Sequence, residues 1–168
     1  MNSLSTIPAG EAQYLTFAVA GDTYALAIDG IKEIIELSPM TLVPMMPAYV
    51  RGVINLRGAV VPVVDLAARF GQPQALIGRR SCVVILEIRP VDGDKQVFGL
   101  LVDAVCAVLD IAAEHMEPPP AFGARIRADF IAGMARLEER FVIVLDANRV
   151  LALHDLVALA QLSDETAA

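Results

Sequence analysis

Turn-forming dipeptides recur along this chain so closely that they leave room only for short elements. Gly21-Asp22, Asp29-Gly30, Arg57-Gly58 and Asp92-Gly93 each border a run of apolar residues. Glycine reaches positive φ without steric cost, and Asp bonds its own backbone, so such pairs turn a chain sharply. Between them, side-chain polarity alternates with a period of two. In Tyr14–Ala20, Leu15, Phe17 and Val19 share one face, and Tyr24, Leu26 and Ile28 do so in Thr23–Ile28. That is the pattern of half-buried strands, here a hairpin cornered at Gly21-Asp22.

The same reading extends down the chain. Ile31–Leu37 fits strand or helix by pattern, but its shortness and the following Pro39 favour strand. Gly52–Leu56 and Ala59–Val64 flank Arg57-Gly58 as a second hairpin, with Pro62 marking an edge position or a bulge. Asp65 reads as the N-cap of a short Leu66–Phe70 helix stopped by Gly71 and Pro73. Ser81–Ile88 and Gln96–Val105 form strands around Pro90–Lys95, and Phe130–Leu137 pairs with Phe141–Asp146. Glu117-Pro118-Pro119-Pro120 is a stiff crossover without regular structure. Only Asp146–Leu162 reads as helical, with Leu151, Leu153, Leu156, Val157 and Ala160 as its stripe. Many short strands and few helices predict an all-β fold, a barrel or sandwich. No linker is long enough to separate independent domains, so a pair of small β-subdomains in one unit is expected.

Mean hydropathy is high at +0.58, yet the long uncharged run Leu37–Val50 is broken by Pro39, Pro44 and Pro47. No segment resembles a spanning helix of about 20 apolar residues. The N-terminus lacks the basic and apolar regions of a secretory signal, which makes a cytoplasmic location the expectation. The formal net charge of −7 opposes binding to nucleic acid or anionic lipid, so the expected partner is protein. Cys82 and Cys106, both in apolar runs, are read as buried free thiols.

Chemistry is sparse. His115 and His154 have no Cys or His partner at metal spacing, no phosphate-cradling glycine run is present, and no nucleophile elbow occurs. The carboxylate pairs Asp92/Asp94 and Glu138/Glu139 sit in turn sequences. No catalytic residue, metal or cofactor is assigned. One carboxylate is less ordinary. Glu33 lies in a half-buried run, where a charge needs a partner, and Arg57 at the next hairpin corner can brace it. The alternative is two separately solvated side chains. Arg51-Gly52, by contrast, is read as leading into a strand.

The run Gly52–Leu66, GVINLRGAVVPVVDL, resembles the signature of the CheW family, the bacterial chemotaxis coupling proteins. Ile31-Lys32-Glu33-Ile34, Phe98–Asp103 with Val105, Met116–Pro120 and Phe130–Gly133 extend the resemblance from about residue 13 to 162, between flexible tails at 1–12 and 163–168. It implies two five-stranded β-barrels around a shared core and an adaptor without enzymatic activity. Its partners would be the cytoplasmic tips of methyl-accepting receptors and the regulatory domain of a CheA-type histidine kinase, with further CheW copies in rings. The receptor-facing groove would hold Ile31, Glu33, Gly99 and Val105, with Cys82 nearby. Arg57 would support array contacts. Gly52, Asn55, Gly58, Pro62 and Asp65 would serve barrel closure. Of the departures, the loop arginines Arg125 and Arg127 are read as local surface choices, and the alanines, Ala67-Ala68 among them, leave flagellar arrays and arrays controlling pili or surface behaviour both open. A ligand-binding barrel is the remaining reading from another class. The initiating Met and the polar end Ser163–Ala168 point to a stand-alone protein.

Overall fold

A computed structural model describes residues 11–89, 93–118, 128–138 and 140–151. Its strands are β1 (Glu11–Val19), β2 (Asp22–Ala27), β3 (Ile31–Glu36), β4 (Val50–Leu56), β5 (Ala59–Asp65), β6 (Cys82–Ile88), β7 (Gln96–Val102), β8 (Ala104–Ala112), β9 (Met116–Glu117), β10 (Ile131–Leu137) and β11 (Arg140–Leu145). Two single-turn helices follow strands, α1 (Leu66–Arg69) after β5 and α2 (Ala147–Val150) after β11. The all-β expectation holds.

The strands sort into two sheets, ordered β8-β1-β2-β11-β10-β9 and β3-β6-β7-β5-β4. Both close on themselves. In the first, β8 and β9 belong to one run bent by a 3₁₀ turn at Ala113–His115, so β8 pairs β1 while β9 pairs β10. In the second, the chain beyond β3 returns to β4, where Thr41 and Val53 exchange N–H···O bonds of 2.9 Å each way. Closure satisfies the backbone groups that an open edge would expose.

Each barrel has a private core, and a larger core lies between them. Val83 and Ile85 of β6 point into the second barrel with Ile54, Val61, Val63 and Leu101. Their neighbours Val84, Leu86 and Ile88 face the shared core, where they meet Leu15, Phe17, Tyr24 and Leu26 of the first barrel. The first barrel's own core is Ala25, Ile111, Ala135, Val142 and Val144. Strands buried on both faces need apolar residues at consecutive positions. This explains the unbroken runs CVVIL and FGLLV.

Several elements differ from the sequence reading. The first hairpin turns one residue earlier, at Ala20 (φ 51°) and Gly21 (φ 86°), with Val19 opposite Asp22. Gln96–Val105 is not one strand: the chain crosses from the second sheet to the first at Asp103 and continues to Ala112. Asp103 fixes the crossing, its N–H donating to Ala18 O (2.9 Å) and its Oδ2 accepting from Ala20 N (2.8 Å). Strand β9 includes Glu117, so the crossover is not wholly irregular. Pro62 is on an interior strand, yet β5 pairs with β7 only from Val63 onward, so the proline's missing N–H lies outside that ladder. Asp65 caps α1 as expected, Oδ1 accepting from Ala68 N at 3.2 Å. The tails, the helical stripe beyond Leu151, His154, Asp92, Glu139, Pro119-Pro120, Arg125 and Arg127 lie outside the described residues.

Candidate docking face

Among the described residues, strand β3 is paired on one side only, against β6. Its register shifts between Ile31 and Glu33: Ile31 opposes Leu86, whereas Glu33, Ile34 and Ile35 oppose Ile85, Val84 and Val83. Side chains directly opposite share a face. Ile31 and Ile34 therefore project on the side of the shared core, and Glu33 and Ile35 on the side of the second barrel's private core. The bulge separates Ile31 from Glu33, which a simple alternation would place together. Ile34, outside the predicted set, is 44% exposed.

A matching irregularity occurs on β8. Phe17 opposes Val105 and Thr16 opposes Ala107, which leaves Cys106 as the extra residue. Val105 is half buried against the shared core, and Val108, opposite Leu15, projects from the same face but is 54% exposed. Cys82, half buried at the start of β6, lies against β8: its thiol makes a hydrogen bond with the Val105 backbone, while burial pushes its pKa up. Both cysteines were expected to be buried. Cys106 is exposed instead, because a bulge residue on a barrel rim has no strand face to hide behind.

Gly99 does not line an accessible surface. It is buried within β7, and a Cβ there would lie 2.6 Å from Val83 Cγ1 and 3.5 Å from Val63 Cγ2. Its place in the fold is to let the private core close over the β7 backbone. Among the residues assigned to the groove, Ile31, Cys82 and Val105 come together on the shared-core side; Gly99 and Glu33 do not join them. The exposed margin is instead completed by Ile34 and Val108. Their sequence signal was an apolar residue at a position that uninterrupted alternation assigns to the wrong side.

The expected Glu33–Arg57 pair is present, Arg57 Nη2 reaching Glu33 Oε1 at 2.7 Å and Oε2 at 2.5 Å. It links edge strand β3 to the β4–β5 corner, across the same seam that Thr41–Val53 closes. Arg57 (φ 52°) and Gly58 (φ 89°) both adopt the left-handed conformation, as a two-residue hairpin turn matching strand twist requires. Asn55 Oδ1 accepts from Gly58 N at 2.9 Å and holds the corner. Gly52 (φ 149°) admits the closing bridge, since a Cβ would sit 2.6 Å from Thr41 O.

Arg51 has a more consequential place than its sequence context suggested. Its Nη1 donates to Asp65 Oδ2 (2.8 Å) and to Ala75 O (3.1 Å), and Ala75 N donates to the same Oδ2 (2.8 Å). Asp65 is wholly buried, so one carboxylate caps α1, pairs with Arg51 and pins the loop after α1. Two arginines six residues apart thus serve different ends, one an internal brace and the other a rim brace.

Two closed barrels fused through a common core, with an apolar margin on their shared side, define a protein-docking scaffold. Among the described residues no group of three His, Cys, Asp or Glu could hold a metal ion, and no helix is long and apolar enough to cross a membrane. The sequence model of the CheW-like domain matches residues 13–154. Similar proteins include the chemotaxis protein CheW of Rhizobium meliloti (32% identical; 89% of this chain, 93% of that one) and the probable chemotaxis protein CheW of Rhizobium etli (31%; 86% and 90%). The crystal structure of the scaffolding protein TtCheW from Thermoanaerobacter tengcongensis superposes with a TM-score of 0.75 at 31% identity, covering 86% of this chain and 94% of that one. The chain belongs to the CheW-like family of chemotaxis scaffolds.

Proposed function

We propose that this chain couples the cytoplasmic tips of methyl-accepting chemoreceptors to the regulatory domain of a CheA-type histidine kinase, without catalysis of its own. The carrying observation is the partly exposed apolar set Ile31, Ile34, Val105 and Val108 on the shared-core side of both barrels. A helical tip can lay an apolar stripe along such a margin, and a rigid barrel framework limits the entropy lost on docking. Arg57, with Glu33, stiffens the neighbouring rim. Individual contacts of this size are weak, and repetition within an array multiplies them. The location that follows is the cytoplasm, at receptor arrays.

The test is Ile34→Asp. A half-exposed side chain tolerates a charge without loss of fold, whereas an apolar interface does not. The expected result is loss of co-sedimentation with receptor-bearing membranes and kinase, at unchanged circular dichroism and melting temperature. Full binding by a folded Ile34→Asp protein would overturn the reading.

A further inference from the structure

The charge of this protein is segregated. Of its 13 Lys and Arg, five lie between Leu37 and Leu86; of its 20 Asp and Glu, that stretch holds one, the buried Asp65. The segment is thus net cationic within a chain of net charge −7; with Arg51 paired to Asp65, Arg57 to Glu33 and Arg69 buried, its exposed excess is Arg79 and Arg80. It also carries four exposed large apolar side chains, Leu42, Met45, Leu76 and Ile77, the first three at 79%, 101% and 91% exposure.

These residues occupy two loops, before β4 and after α1, that are fastened together. Gln74 Nε2 donates to Ala48 O (2.8 Å), and Ala75 is held on both its N–H and its carbonyl by Asp65 and Arg51. Arg79 and Arg80, both exposed, tip a tight turn closed by Gly78 N to Ser81 Oγ (2.8 Å) and Ser81 N to Gly78 O (3.2 Å). Among the described residues, neither arginine has a carboxylate within 4.0 Å. The two loops are therefore braced against each other, and they carry exposed apolar side chains and two guanidinium groups that, among the described residues, have no carboxylate partner.

We propose that this surface is a second docking site, separate from the β3–β8 margin, for an acidic amphipathic segment of a protein partner. Apolar side chains of that segment would cover Leu42, Met45, Leu76 and Ile77, and its carboxylates would pair with Arg79 and Arg80, whose planar forks suit two-point pairing. Charge complementarity favours such an occupant. A short segment feels chiefly the local field of Arg79 and Arg80, which salt confines to about 10 Å, whereas a second copy or an anionic bilayer faces the whole chain's net charge of −7. The site goes beyond the coupling function proposed above and does not depend on the margin that carries it.

The test uses fluorescence anisotropy with a labelled synthetic amphipathic helix, leucine on one face and glutamate on the other, and a twin with lysine for glutamate. The glutamate peptide is expected to bind and the lysine twin not. Arg79→Glu/Arg80→Glu should weaken binding at least about fivefold, as two exposed ion pairs become repulsions, and added salt should weaken it for the parent protein. Leu76→Ser should weaken it as well. Ile34→Asp should leave peptide binding intact, and Arg79→Glu/Arg80→Glu should leave receptor co-sedimentation intact, so the two sites fail separately. Equal binding of both peptides, or no loss in the arginine variant, overturns the proposal. So does a change in the protein's own sedimentation, or in flotation with anionic vesicles, as the only effect of the variant.

Discussion

Replacing Asp65 with alanine tests whether one buried carboxylate organises the second barrel. The side chain is fully buried and accepts from Arg51 Nη1, Ala75 N and Ala68 N. Removing one member of a buried ion pair costs about 3–5 kcal/mol, since the other charge stays behind without its partner. Arg51 retains 20% side-chain exposure, so water takes up some of the loss and the lower end of that range applies. Losing the helix cap adds about 1 kcal/mol. A total near 4 kcal/mol is a large share of the roughly 5–15 kcal/mol that holds a domain together. In urea, with a slope of about 2 kcal/mol per molar, the midpoint should fall by about 2 M at unchanged slope. The double variant Arg51→Met/Asp65→Leu should recover the ion-pair part of this, because an apolar pair leaves no stranded charge, but not the cap to Ala68 N or the bond to Ala75 N. Arg57→Ala is the control: its partner Glu33 is at the surface, and loss of such a pair costs at most about 1 kcal/mol. If Asp65→Ala falls within about 1 kcal/mol of the parent, or the double variant is no better than the single, the buried-brace reasoning is wrong.

Two further outcomes follow from local geometry. Gly99→Ala places a methyl 2.6 Å from Val83 Cγ1, so it should lower stability by about 1–3 kcal/mol through overpacking; Val83→Ala in the same chain should relieve some of that loss, as read by thermal unfolding. The thiols should differ in rate. Cys106 is exposed, whereas burial raises the Cys82 pKa above its ordinary 9.0 and thins its thiolate. Alkylation near pH 8 should therefore label Cys106 first, and the rate at Cys82 should keep climbing with pH beyond 9. Equal rates for the two thiols in the folded protein would contradict the bulge placement.

The sequence by itself determined the strand content, the Arg57-Gly58 hairpin corner, the Asp65 cap and the Glu33–Arg57 brace. These depend on local rules: a period-two pattern, turn dipeptides and a charge needing a partner beside a half-buried run. It also carried the family, because the Gly52–Leu66 run records how one barrel closes. What the tertiary structure alone decided were the faces. Two bulges, at β3 and β8, shifted Glu33 away from Ile31 and left Cys106 in the open, and a single inserted residue has no signature in polarity alternation. Gly99 looked like a surface position until its missing side chain was set against Val83. Arg51 looked like a strand leader until Asp65, fourteen residues on, was brought to it by antiparallel pairing. Side-chain direction and burial depend on which strands meet and in what register, and that is settled only when the barrels close.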